Sequence, residues 1–121
     1  MKPRFLTTWG PFLVALAGTF WFSSLPGVPG TRYVWDKLLH VIGYAGLGVL
    51  ALRAFHGELT PLPPKTTLLA GLSVGLWGVS DEYHQSFVPG RDASAWDVAA
   101  DAVGFLVAVG IAVAWVKRRR V

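Results

Sequence analysis

Residues 80–104 constrain this chain more than any other stretch. They hold five of the seven acidic residues: Asp81, Glu82, Asp92, Asp97 and Asp101. Long apolar runs flank them on both sides. An ionisable side chain at the centre of a membrane helix costs about 2.5–3.5 kcal/mol on insertion scales. Such residues therefore belong at the mouth of a membrane bundle or inside it, with partners or with a use. Composition agrees: 53% of the 121 residues are hydrophobic and 15% are charged. Mean hydropathy is positive. These values argue against an ordinary soluble domain. There are no cysteines, so disulfide and thiol chemistry are excluded.

The apolar runs predict a single all-α domain, residues 1–121, with four transmembrane helices near 9–25, 36–55, 66–87 and 95–116. Lys2 and Arg4 ahead of the first run also fit a signal peptide. The exit, Ser23-Ser24-Leu25-Pro26-Gly27-Val28-Pro29-Gly30, lacks a small-x-small cleavage pattern, so the run reads as a retained span ending in a turn. Gly57, Pro61, Pro63 and Pro64 mark the next loop. The third run is apolar only to Val79, about 20 Å of helix. To cross a core of about 30 Å it must continue through Asp81, Glu82 and His84 to Phe87. Pro89-Gly90 ends it, and Ser94-x-x-Asp97 has capping-box spacing for the fourth helix.

The net charge of +4 does not point to nucleic acid, because four of the basic residues form the tail 117–120. Such a tail after an apolar helix anchors at anionic lipid. With both termini and the 56–65 loop region placed inside, eight of the 11 basic residues lie on that side. The positive-inside rule then gives both termini to the cytoplasm. Polar groups from several segments gather on the outer face as a pocket. Small residues predict close helix packing: Gly43 and Gly46 on the second helix, Gly71, Gly75 and Gly78 on the third, Gly104, Ala108 and Ala112 on the fourth. Trp21 and Trp77 fall within spans and read as packing residues.

Asp36, His40 and Tyr44 recur every four residues and share a helix face. Asp36 has an ordinary role at a helix start, facing the positive dipole end. Asp81 forms a face with His84 or Gln85, and Glu82 points about 100° away. Carboxylates near a helix C-terminus meet the wrong dipole end, so these need a cation, a proton or a metal. Arg91 is the available counter-charge, and its guanidinium also suits phosphate. Asp97 reads as the capping acid; Asp101 lies a turn deeper and has no such excuse. Carboxylates with histidine suit general acid–base work. They also suit a divalent metal, although no HExxH-like ligand spacing is present and no cofactor is evident. No nucleophilic Ser or Cys motif stands out.

Together, Ser23-Ser24-Leu25-Pro26, Asp36-Lys37-x-x-His40, Asp81-Glu82-x-x-Gln85, Pro89-Gly90-Arg91 and Asp97-x-x-x-Asp101-x-x-Gly104 resemble the pattern of the VanZ-like membrane protein family. The match spans most of the chain. Its order and spacing are more specific than any single piece. One departure is Asp101, where the family pattern often has Asn. The resemblance implies a bacterial cell-envelope protein of the cytoplasmic membrane, in a family whose eponymous member is linked to teicoplanin resistance.

The expectation is a multi-pass protein that binds or modifies an envelope component at the outer leaflet, such as a cell-wall precursor or lipid headgroup. Asp81, His84, Asp101 and His40 would act on it. Arg91, Asp36, Glu82, Gln85 and Asp97 would bind it. The alternative is a non-catalytic, partner-recruiting protein whose polar cluster is an interhelical lock. A proton-coupled transporter fits less well, because the inner half carries almost no ionisable residues.

Overall fold

The computed structural model describes residues 3–24, 33–56, 63–89 and 95–119; within these, the side chains of 3, 4, 33–37 and 119 are not described. Four α-helices run through them: α1 (Pro3–Ser23), α2 (Tyr33–His56), α3 (Pro64–Gln85) and α4 (Ala95–Arg119). The helices begin and end within a few residues of the predicted runs, except that α1 starts several residues earlier, at Pro3. Proline is readily placed at a helix start, where its missing N–H is no loss. Pro64 starts α3 in the same way, following Pro63 at the cap position.

Three helices, α1, α2 and α4, are long and apolar enough to cross a membrane. By that measure α3 falls short of the four spans expected. Its 22 residues reach about 33 Å, so length is not the reason. Lys65 and two threonines occupy its start, and Ser80, Asp81, Glu82, His84 and Gln85 its last turns.

Contacts at the two ends give the arrangement. Trp9 near the start of α1 packs on Phe55 near the end of α2. His56 at the end of α2 meets Thr66 at the start of α3, Nδ1 to Oγ1 at 2.6 Å. Towards the opposite end, the first half of α2 meets the last turns of α3 and the second turn of α4 through Tyr44–Asp81 and His40–Asp101. Neighbours in sequence are therefore antiparallel, and α2 and α4 run parallel. The α2–α4 interface is the most extensive in the bundle.

Small residues explain that interface. Ala51, Ala108 and Ala112 are fully buried. A Cβ on Gly104 would stand 2.6 Å from the Val41 carbonyl oxygen and 2.9 Å from the Ala45 nitrogen. On Gly48 it would stand 2.6 Å from the Ala108 Cβ. The expected stripe on α4 is thus in place, but the one on α2 is not. Gly43 and Gly46 are exposed with nothing near them, and Gly48 makes the close approach instead. On α3, Gly71 and Gly78 face neighbours and Gly75 does not.

Large apolar side chains lie outside: Leu6, Val14 and Trp21 on α1, Ile42 on α2, Leu68 and Leu76 on α3, Leu106 and Ile111 on α4. Trp21 is 65% exposed, so it is not the packing residue expected. Trp77 is half-buried and packs against the core. Small residues inside and bulky apolar ones outside suit helix packing in lipid, whereas a monomer in water rarely exposes so continuous an apolar surface.

Candidate functional site

The polar residues of the sequence pattern meet at the end formed by the C-termini of α1 and α3 and the N-termini of α2 and α4. Helical periodicity places His40 and Tyr44 on one face of α2, with rings stacked at 6.2 Å. On α4, Asp97 and Asp101 are likewise a turn apart and face His40. The His40 Nδ1 lies 2.7 Å from Asp101 Oδ1, and its Nε2 lies 4.0 Å from Asp97 Oδ1. An ionised Asp101 can only accept, and in that state Nδ1 carries the proton and donates it in the short contact. One imidazole thus stands between two buried acids.

The second half of the site belongs to α3. Asp81 Oδ2 accepts from the Tyr44 hydroxyl at 3.4 Å and from Gln85 Nε2 at 3.3 Å. Both contacts are long for a carboxylate, whose charge-assisted bonds run near 2.7–2.9 Å for nitrogen donors (about 2.5–2.7 Å for oxygen donors). Gln85 Nε2 also donates to Ser23 Oγ at 3.2 Å, tying in α1. The four-residue spacing of Asp81 and Gln85 delivers both to one face. Asp81, Gln85, Asp97, Asp101 and Ser23 are all buried.

His84 is on a different face. Its ring stacks on Phe20 at 4.4 Å, and its Nε2 lies 2.9 Å from Ser24 Oγ. The Ser24 hydroxyl proton goes to the Phe20 carbonyl at 2.9 Å, so the imidazole is the donor to Ser24. Of the expected pairings of Asp81, the one with Gln85 forms, and His84 instead joins α3 to α1. A second polar rung lies below it: the Trp77 indole donates to Thr19 Oγ1 at 2.9 Å.

Of the remaining expected site residues, Glu82 is half-buried beside this end. Asp36 is in the first turns of α2, but its side chain lies outside the described residues, as does all of Arg91. The capping role expected of Asp97 depends on Ser94, which lies outside the described residues; Asp97 itself is fully buried against His40. Tyr44 and Gly78 are the residues sequence reasoning undervalued. Tyr44 bridges the two halves, and its place on the His40 face was the available signal. Gly78 sits under Asp101, and its three-residue spacing from Asp81 pointed there.

Among the described residues, no three His, Asp or Glu side chains converge as a metal site. The arrangement can accept and donate protons through His40, Tyr44 and the acids, and it can hold positive charge.

Comparison with protein-family models, curated proteins and solved structures gives no match to this chain.

Proposed function

We propose that this chain is a VanZ-like integral membrane protein of the bacterial cell envelope, which binds an envelope component at the outer leaflet. One observation carries the binding reading. Asp81, Asp97 and Asp101 are buried together at one end of the bundle, with the His40 imidazole between two of them. Folding alone gains little from such a group, because desolvating each charge costs several kcal/mol.

In this reading all four helices span the membrane, with α3 crossing by length and its polar end shielded by the other three. Arg53, Lys65, Lys117 and Arg118 belong to the ends of α2 and α4 and the start of α3, opposite the acids. The positive-inside rule puts that end and both termini in the cytoplasm. The acidic end then opens outward as a pocket. His40 and Asp101 hold or move a proton there, Asp81 and Gln85 orient the ligand, and Arg91 takes an anionic group such as a phosphate. A link to teicoplanin resistance follows from the family resemblance alone.

A second reading has its own support. His40–Asp101, Tyr44–Asp81 and Gln85–Ser23 each join two helices. A purely structural lock would look the same in that respect.

Two measurements test the proposal. The chain has no cysteine, so Arg91→Cys or Ser94→Cys gives a single label site. Labelling from the periplasmic side supports the topology, and labelling only from the cytoplasm rejects it. Teicoplanin susceptibility, with vancomycin as control, is then compared in a sensitive host expressing wild type or Asp81→Asn. Protection by wild type alone assigns the function to the acidic end. No protection by an inserted wild type removes resistance as the native role.

A further inference from the structure

Asp81 and Asp101 are 5% and 2% exposed, and each has one oxygen without a hydrogen-bond partner: Asp81 Oδ1 and Asp101 Oδ2. Buried polar atoms are rarely left so. Asp101 Oδ2 lies against α3 beside Gly78, three residues before Asp81. A Cβ on Gly78 would stand 2.9 Å from Asp101 Oδ2 and 3.3 Å from Tyr44 Cε2. Asp101 therefore turns its second oxygen towards α3, one turn from Asp81. The same Tyr44 ring carries the hydroxyl that binds Asp81. The missing side chain at Gly78 lets Asp101 come this close to α3.

We propose that Asp81 Oδ1 and Asp101 Oδ2 share one exchangeable monovalent cation, a proton or a sodium ion, held between α3 and α4 beside Tyr44. Two acceptors cannot satisfy each other, but one shared positive charge satisfies both. The surrounding charges fit. Among the described side chains, His40 and Tyr44 come from α2, Asp81 and Glu82 from α3, Asp97 and Asp101 from α4, and the neutral Ser23 from α1. No described lysine or arginine pairs with Asp81 or Asp101. His40 serves Asp101 through Oδ1. Asp81 Oδ1 and Asp101 Oδ2 are left for a single added charge.

The cation site requires no envelope ligand, so its failure is separate from failure of the binding reading. The purified chain in detergent is unfolded by heat, followed by tryptophan fluorescence, while sodium replaces N-methylglucamine at constant pH and ionic strength. If sodium is the occupant, the midpoint rises with sodium, and the half-maximal concentration increases at least tenfold in Asp101→Asn and in Asp81→Asn. If a proton is the occupant, sodium has no effect. Infrared spectra of wild type then show a carboxylic-acid carbonyl band that is lost in both variants. Asparagine keeps the shape of the carboxylate and can still accept through its amide oxygen, so each variant is expected to fold. A wild type with neither a sodium response nor such a band overturns the proposal without reference to any variant. A sodium response unchanged in the folded variants overturns it equally.

Discussion

Asp101 Oδ1 lies 2.7 Å from His40 Nδ1, joining the starts of the two helices that share the most extensive interface. Removing one member of a buried hydrogen bond leaves the other unsatisfied, at a cost of about 1–3 kcal/mol. His40→Ala should therefore lower thermal stability markedly. His40→Ala placed in an Asp101→Ala background should cost much less. The double-mutant cycle reads the coupling directly. Equal losses in both backgrounds would show that the contact contributes nothing.

Close approach of α2 and α4 makes a second prediction. Gly104→Ala places a methyl 2.6 Å from a backbone oxygen, and backbone cannot move aside as a flexible side chain can. Overpacking of this kind costs about 1–3 kcal/mol. Gly43→Ala meets open space on the same helix pair and serves as the control. It should be neutral, or stabilising by about 0.5–1 kcal/mol, since alanine is the better helix former. Denaturation of both variants in the same detergent checks the contrast, and equal stability would refute the packing account.

The number and extent of the helices were legible because apolar runs and Pro/Gly breaks are local signals. The pairing of Asp81 with Gln85 was legible for the same reason, since four-residue spacing fixes a shared face. Which neighbour a face meets is not a local property. His84 lies one residue from Gln85 in sequence, yet the helix turns it towards Phe20 and Ser24. Gly43 and Gly46 show the same limit. Their spacing suggested a packing stripe, but the rotation of α2 is set by Tyr44, Gly48 and Ala51 against α4. Asp97 carried an obvious local role as a capping acid, and that role concealed its burial beside His40.

The link between α1 and α3 supports a third prediction. Trp77→Phe keeps most of the ring volume but removes the indole N–H that donates to Thr19 at 2.9 Å. A net loss of about 0.5–1.5 kcal/mol is expected for one hydrogen bond. Thr19→Val should cost a similar amount, and the double variant little more than either single one. Strict additivity in unfolding measurements would mean that the two side chains act independently.

Tyr44→Phe separates a ligand site from an interhelical lock. The ring packs beside Gly78 and stacks with His40, and both contacts survive the substitution. Only the hydroxyl that reaches Asp81 at 3.4 Å is removed. A bond that long should contribute no more than about 1 kcal/mol to stability, so the folded fraction at growth temperature should hardly change. In a lock, function tracks the folded fraction, and Tyr44→Phe would then behave as wild type in any envelope assay the wild type passes. In a site, the hydroxyl also fixes the Asp81 carboxylate, and activity should fall well below what the stability loss explains. The comparison needs both readouts on one preparation: the unfolding midpoint in detergent, and the envelope phenotype at matched membrane levels. Normal phenotype with normal stability would decide for the lock.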